Sequence, residues 1–222
     1  MNKKLLLLIF SCINFFTAYL FAGGIGLFMP TSYGIIDYGP YESDMHSIGI
    51  GFMYDTNSGS KRLFNYRLCL NIEIFEHEYS YEEVDSYSSS TNIITYDTEE
   101  GTHEVYRVIT DHSFGFGLHK SRFLRIWAGP LLRFGIVSSP VQGNCYGIGL
   151  TFIGININIA PSLSLIFEAD YLYHYDHFHN NLETIRAFNG TDLYDKHIKS
   201  AESTLLQLKF AVFFKRNDSY SD

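Results

Sequence analysis

Strict alternation of apolar and polar residues is the feature that most limits what this chain can fold into. Between Leu63 and Phe75 the even positions carry large apolar side chains, whereas the odd positions are mostly polar. The same period of two recurs between residues 124 and 136, 163 and 175, and 206 and 214. This period is that of a β-strand with one apolar and one polar face. The sequence therefore predicts an all-β fold.

A short glycine–apolar–glycine–apolar pattern marks four further strands and brings the predicted number to eight. The four segments are 24–27, 49–52, 115–118 and 147–150. After the last segment, the apolar side moves from even to odd positions near Gly154, which a β-bulge would explain.

The predicted connections between strands alternate between long and short along the whole chain. The long ones are expected around 31–45, 78–104, 138–144 and 176–202, and the short ones around 57–60, 120–122 and 161–162. An even number of strands of about ten residues, with short turns at one end and long loops at the other, is typical of outer-membrane β-barrels.

The first residues predict export. Lys3 and Lys4 precede an apolar run that extends from Leu5 to about Phe21, and a small residue follows at Ala22. These are the parts of a cleaved secretory signal peptide, predicted over residues 1–22. A retained membrane anchor and a lipoprotein are the alternatives. The barrel is expected over 23–216, and a short C-terminal tail over 217–222.

Alternation alone does not say which face of the barrel points inward. A soluble lipocalin-like barrel would hold its apolar face inside, around a ligand. Three features favour lipid on the outside instead: the apolar faces are nearly free of charge, the charged faces are rich in glycine, and aromatic residues collect at strand ends. The predicted interfacial girdle of aromatic side chains consists of Tyr171, Tyr173, Tyr175, Phe210 and Phe214.

With these features the chain resembles the small eight-stranded outer-membrane proteins of the OmpA-barrel, OmpX and OmpW type. The resemblance is one of architecture and covers about Gly23 to Arg216. It implies an eight-stranded antiparallel up-and-down transmembrane β-barrel in the bacterial outer membrane. It further implies a monomer that contacts outer-membrane lipid and is inserted by the barrel-assembly machinery. Such barrels commonly finish on an aromatic residue, here Phe214, although this chain continues to Asp222.

The polar faces place charged side chains in the predicted lumen. They are Arg67, Glu73, Arg107, Asp111, Arg125, Arg133, Glu168, Asp170 and Lys209, together with Asp55. An eight-stranded barrel has room for little more than its own side chains, and buried charges need partners. We therefore predict a non-enzymatic barrel with a closed, ion-paired lumen, which serves an envelope-structural or surface-interaction role. A narrow channel for small solutes is the alternative.

The connection between Glu78 and Glu104 is strongly acidic and contains no lysine or arginine. Its central acids are Glu82, Glu83, Asp85, Asp97, Glu99 and Glu100. The sequence predicts a solvated surface loop. The functional alternatives are adhesion to an unidentified extracellular ligand and binding of divalent cations by the clustered carboxylates. Across the chain, acids outnumber bases 24 to 16 and no basic cluster occurs, which argues against nucleic-acid binding.

No catalytic, metal or cofactor site is predicted. His174 and Asp176 share one strand face and His177 and His179 the other, so each face offers only two metal ligands. These four are expected to be polar rim residues. The His-Lys-Ser run at 119–121 falls in a short turn at the predicted periplasmic end, which argues against an enzyme.

Overall fold

The computed structural model describes residues 23–37, 42–56, 63–88, 93–139, 142–178 and 200–215. The predicted signal peptide and C-terminal tail lie outside these residues. The eight strands of the described chain are β1 (Gly24–Asp37), β2 (Glu42–Asp55), β3 (Phe64–Ser88), β4 (Ile93–Lys120), β5 (Leu124–Ser139), β6 (Gly143–Ala160), β7 (Leu163–Phe178) and β8 (Ser200–Lys215). None of the described residues forms a helix long and apolar enough to cross a membrane.

The strands form one closed ring in chain order. Each strand pairs antiparallel with the next, and β8 closes the ring by pairing antiparallel with β1. Gly24 at the start of β1 lies opposite Asp55 on one side and Lys215 on the other. Closure satisfies the backbone hydrogen bonds of both edge strands, so that no open edge remains. The predicted eight-stranded antiparallel up-and-down barrel is confirmed.

Side chains alternate between a buried interior and an exposed apolar exterior. On β1, for example, Phe28 and Ser32 are buried, whereas Leu27, Met29 and Tyr33 are about half exposed or more. The exterior carries large apolar side chains around the ring, and the interior carries most of the buried charge. A soluble barrel would have the opposite arrangement, so the exterior faces lipid and the barrel is transmembrane.

A bulge in β6 changes the phase of that strand. Phe152 and Ile153 both point outward, and the pairing with β7 shifts between Thr151 and Ile153. The inward positions resume at Gly154, as the sequence predicted. Glycine is required there because a Cβ at Gly154 would overlap the indole ring of Trp127, which fills the lumen beside it.

The strands beside the long connections extend further than the sequence predicted, and those connections are correspondingly shorter. The first long connection is reduced to 38–41, because β1 extends to Asp37. The third long connection is reduced to 140–142, because β5 extends to Ser139. The acidic segment is mostly a β-hairpin rather than a loop, since β3 and β4 stay paired from Phe64↔Phe116 to Ser88↔Ile93. Backbone pairing continues in these regions although their side chains no longer alternate in hydropathy.

Candidate functional site: the ion-paired lumen

All ten charged residues that the sequence assigned to the lumen are inside the barrel. Their exposed fractions are 2% or less. The barrel has a turn end, where the short connections and the Gly24 and Lys215 strand ends lie, and an opposite loop end. The lumen charges form three tiers between these two ends.

The tier nearest the turn end is centred on Arg67 of β3. Its guanidinium contacts two carboxylates, those of Asp55 and Glu168. It also donates a hydrogen bond of 3.2 Å to Asn156 Oδ1. The guanidinium lies 4.8 Å from the ring centre of Trp127, within range of a cation–π interaction. Arg67 of β3 thus contacts side chains of four other strands, β2, β5, β6 and β7.

Two more cations belong to this tier and are held by amide side chains. Arg125 donates to Asn65 Oδ1 at 3.1 Å, and Asn65 donates in turn to Asp55 Oδ2 at 3.3 Å. Lys215 at the end of β8 donates to Asn158 Oδ1 at 2.9 Å. The turn end of the lumen is therefore filled by hydrogen-bonded polar side chains.

The middle tier is centred on Lys209 of β8. Its ammonium lies 2.9 Å from Asp111 Oδ2, 2.9 Å from Asp170 Oδ2 and 3.9 Å from Glu168 Oε2. Glu168 also contacts Arg67, so it joins the middle tier to the turn-end tier. One lysine thereby forms ion pairs with carboxylates from both β4 and β7.

Arg133 of β5 completes the middle tier with a two-pronged contact to Asp111. Its Nε donates to Oδ1 at 2.7 Å and its Nη2 to Oδ2 at 2.9 Å, the geometry that makes arginine–carboxylate pairs strong. Nη2 also donates to Gln207 Oε1 at 2.7 Å and lies 3.6 Å from Glu73 Oε1. Gln207 donates in turn to Glu73 Oε1 and to Ser32 Oγ, each at 3.1 Å.

The tier nearest the loop end lies among apolar side chains. Arg107 pairs with Asp176 and covers the ring of Phe75, with 3.8 Å between the guanidinium carbon and the ring centre. The ring nitrogen Nε2 of His174 lies 3.0 Å from Asp176 Oδ1. The surrounding cluster of buried apolar side chains comprises Ile36, Met45, Phe75, Val105, Ile109, Leu131, Val137, Cys145, Leu172, Ala201 and Leu205.

The buried charges of the described lumen are balanced. The six cations are Arg67, Arg107, Arg125, Arg133, Lys209 and Lys215, and the six anions are Asp55, Glu73, Asp111, Glu168, Asp170 and Asp176. Balance is what burial demands, because an unpaired charge in a dry interior carries a desolvation penalty of several kcal/mol. This arrangement can hold the strands together from the inside.

The sequence predicted that His174 and Asp176 would be polar residues at the rim of the barrel, and this prediction is wrong. Both are fully buried and point into the lumen. The reason is that β7 continues to Phe178, and its neighbour β6 begins at Gly143, so both residues remain inside the ring. The sequence contained this information, because His174 and Asp176 lie an even number of residues from Glu168 and Asp170 and therefore share their strand face.

The predicted girdle residues all lie on the outer wall. Tyr171, Tyr173, Phe210 and Phe214 are exposed to between 42% and 56%, and Tyr175 is partly exposed. The three tyrosines lie toward the loop end of β7. Phe214 lies at the turn end, beside Ile25 in the register, whereas Phe210 is four residues nearer the middle of β8.

The six acids of the predicted loop lie on the hairpin of β3 and β4. In its register Glu83 lies opposite Asp97, Glu82 opposite Thr98, and Tyr81 opposite Glu99. Glu100 pairs with Ser80, and Asp85 lies at the register shift between Val84 and Ser86. The structure thus brings these acids together on one two-stranded segment, apart from the lumen charges.

Cys69 and Cys145 are both buried and carry free thiols. Ser121 of the His-Lys-Ser run lies in the turn before β5. Its hydroxyl accepts a hydrogen bond from the Leu124 backbone N–H at 3.0 Å and donates one to the Leu124 carbonyl at 3.1 Å. The hydroxyl therefore stabilises the turn.

Comparison with known proteins gives similar solved structures and no sequence relative. No protein-family model and no curated protein matches the chain. Neisserial surface protein A (NspA) is 11% identical, with a TM-score of 0.42, over 86% of this chain and 97% of NspA. Ail, the attachment invasion locus protein of Yersinia pestis, solved with the heparin analogue sucrose octasulfate, is 12% identical, with a TM-score of 0.32, over 87% of this chain and 99% of Ail. The outer membrane protease OmpT from Escherichia coli is 7% identical, with a TM-score of 0.35, over 87% of this chain and 95% of OmpT.

The location of the protein follows from its own architecture. A closed antiparallel barrel satisfies every backbone hydrogen bond between strands, which is a condition for spanning a bilayer with β-strands. The apolar exterior and the charged interior match those of bacterial outer-membrane barrels. The protein is an outer-membrane β-barrel.

Proposed function

We propose that the protein is a non-enzymatic surface-interaction protein, in which a closed, ion-paired barrel supports the acidic hairpin of β3 and β4 outside the cell. The barrel acts as a monomer in outer-membrane lipid, after insertion by the assembly machinery. The partner of the hairpin is an extracellular ligand with a basic surface.

The length of the hairpin is the observation that carries this proposal. In the described register, β2 pairs with β3 as far as Met45↔His77, and β5 pairs with β4 as far as Tyr106↔Ser139. Beyond these points β3 and β4 pair with each other as far as Ser88↔Ile93. Eleven further residues of β3 correspond to roughly 35 Å of extended chain.

The charge of the hairpin supports a basic partner. The segment from Glu78 to Glu104 carries eight acids and no lysine or arginine. Glu83 lies directly across from Asp97, and such like-charge pairs destabilise a sheet unless a cation or a basic group lies nearby. A single-sign surface also accelerates encounter with an oppositely charged partner.

The lumen supports a closed barrel. Its charges are paired across strands, Trp127 is buried beside Arg67, and an apolar cluster surrounds the loop-end tier. Planar-bilayer recording of the folded barrel tests this part of the proposal. We expect no steady conductance, with heat-modifiable gel migration confirming that the inserted protein is folded. A steady, reproducible conductance would contradict the closed lumen and favour the narrow channel.

The role of the hairpin is tested by removing its charge. Intact cells that display the barrel are allowed to bind a polylysine-coated surface as the cationic probe. The test variant carries amides at Glu82, Glu83, Asp85, Asp97, Glu99 and Glu100. The control is Asp37→Asn, Asp44→Asn and Glu202→Gln, which neutralises three exposed acids on other strands near the loop end. A variant that neutralises only Glu83, Asp97 and Glu99 of the hairpin removes the same number of charges as this control.

We expect the hairpin variant to lose most of the binding, and the control to retain it. Binding by the natural protein should also weaken as salt is raised, because exposed charges are screened. Equal binding by the hairpin variants and the control would contradict a specific role for the hairpin.

A further inference from the structure

Three different metal-ligand side chains meet near the loop end of the lumen. Cys145 comes from β6, and His174 and Asp176 come from β7; the register places Cys145 directly opposite Asp176. One potential ligand atom from each residue lies within 4.8 Å of those of the other two. All three residues are fully buried. The sequence did not predict a metal site here, because one face of β7 offers only His174 and Asp176. The third side chain, Cys145, comes from the neighbouring strand β6.

Two groups of the cluster could bind a metal ion: the thiol of Cys145 and a ring nitrogen of His174. Cys145 is a free thiol. The ring nitrogen Nδ1 of His174 is buried and has no hydrogen-bond partner, while Nε2 lies beside Asp176 Oδ1. A buried nitrogen without a partner is destabilising, by the cost of removing it from water. A bound cation would give such a nitrogen, or the thiol, a strong interaction.

Asp176 is already oriented by a second group. Arg107 contacts its Oδ2, and Oδ1 is the oxygen that faces His174. Metal-ligating carboxylates are commonly held by an outer hydrogen-bond donor of this kind, which fixes their orientation. Arg107 holds one carboxylate oxygen and leaves the other directed at the cluster.

We propose that Cys145, His174 and Asp176 bind a thiophilic divalent cation of the Zn²⁺ class, inside the outer end of the barrel. Sulfur and imidazole ligands favour zinc and similar transition metals over calcium and magnesium, which prefer oxygen ligands alone. The three protein ligands leave a fourth tetrahedral position for water. This binding site is independent of the hairpin and goes beyond the proposed surface role.

The geometry requires only a small rearrangement. Ligand atoms around a tetrahedral zinc ion are about 3.3–3.6 Å apart, from bond lengths of about 2.0–2.3 Å. The three side chains would therefore draw together by about 1.5 Å at most, through rotation about their side-chain bonds. On binding, the Cys145 thiol gives its proton to water, and the thiolate sulfur becomes the ligand.

Cobalt(II) is a suitable probe, because coordination by a thiolate produces a charge-transfer absorption band that oxygen and nitrogen ligands do not. The folded barrel is titrated in detergent with Co²⁺ alone, under reducing conditions, and Zn²⁺ is then added as the competitor. We compare the natural protein with Cys145→Ser. The matched control is Cys69→Ser, since Cys69 is the other free, fully buried cysteine of the described lumen.

The proposal expects the band at one cobalt per barrel in the natural protein and in Cys69→Ser, its absence in Cys145→Ser, and its loss when Zn²⁺ is added. Zn²⁺ should also raise the urea midpoint of the first two proteins and leave that of Cys145→Ser unchanged. Heat-modifiable migration verifies that each protein is folded. A natural protein without the band, or a band that persists in Cys145→Ser, would overturn the proposal.

Discussion

Replacing Arg133 by alanine would remove the strongest connection of the middle tier. Its guanidinium donates two hydrogen bonds to Asp111, at 2.7 and 2.9 Å, and one to Gln207 at 2.7 Å. In Arg133→Ala, Asp111 would keep only Lys209 from this set of cations, and that ammonium is shared with Asp170 at the same distance of 2.9 Å. The variant would therefore carry an excess negative charge in a fully buried site.

The expected cost follows from that excess charge. Breaking a buried ion pair by removing one partner destabilises proteins by roughly 3–5 kcal/mol. Arg133 is 0% exposed, so little of this cost is relieved by solvent. With a urea dependence of about 2 kcal/mol per molar, the midpoint of unfolding should fall by about 2 M.

Urea unfolding in detergent micelles or lipid vesicles measures this effect. Two control variants remove charges that the structure or the sequence places at the surface. Arg122→Ala deletes an exposed arginine in the turn before β5, and Glu99→Gln neutralises an acid of the hairpin. Each control should change the free energy of unfolding by no more than about 0.5 kcal/mol.

A double variant separates charge from packing. When Arg133→Met is combined with Asp111→Leu, no excess charge remains, so the pair should be less destabilised than either single variant. The reasoning would be refuted if Arg133→Ala and Glu99→Gln unfolded at the same urea concentration, because the arginine would then be solvated. Strictly additive effects in the double variant would refute the coupling of Arg133 with Asp111.

Two further predictions concern the wall of the barrel. Gly154→Ala should reduce the folded, heat-modifiable fraction, because its Cβ would overlap the Trp127 indole; Gly117→Ala is the control, since its nearest neighbour is the flexible Lys120 side chain at 3.2 Å. Equal folding of the two would contradict the tight contact at Gly154. Leu208→Lys puts a charge on the exposed apolar wall and should lower stability in lipid vesicles by about 2–4 kcal/mol if the position lies at mid-bilayer depth. Unchanged stability, measured by urea unfolding, would mean that this wall faces water.

The alternation of side chains made the barrel and its lumen predictable. Every strand that was read with a period of two has the expected face inward, because one face of each strand must avoid lipid and the other must fill a narrow interior. Arg67, Arg133 and Glu168 could be assigned to the lumen from parity alone. Even the β6 bulge was visible, as a change of parity near Gly154.

The ion-pair partners and the strand ends were not predictable in this way. Pairing across the lumen depends on the stagger between strands, which the sequence of one strand does not encode. Arg107, for example, pairs with Asp176, a residue that the sequence analysis placed in a connection between strands. The ends of β3 and β4 were missed because both faces of the hairpin are polar. Where both faces carry polar residues in the sequence, the alternation in hydropathy disappears while backbone pairing continues.

Quenching of the single tryptophan of the chain most directly tests the claim of a closed lumen inside a lipid-facing wall. Trp127 is 0% exposed and points inward, whereas Leu208 is 50% exposed and points outward. The natural protein is compared with Leu208→Trp in a Trp127→Phe background, with iodide in the water and brominated lipid in the bilayer as quenchers. Iodide should leave Trp127 almost unquenched, and brominated lipid should quench the introduced tryptophan far more strongly than Trp127. Strong iodide quenching of Trp127 would reveal a water-filled lumen, and stronger lipid quenching of Trp127 than of the introduced tryptophan would reverse the two faces of the barrel.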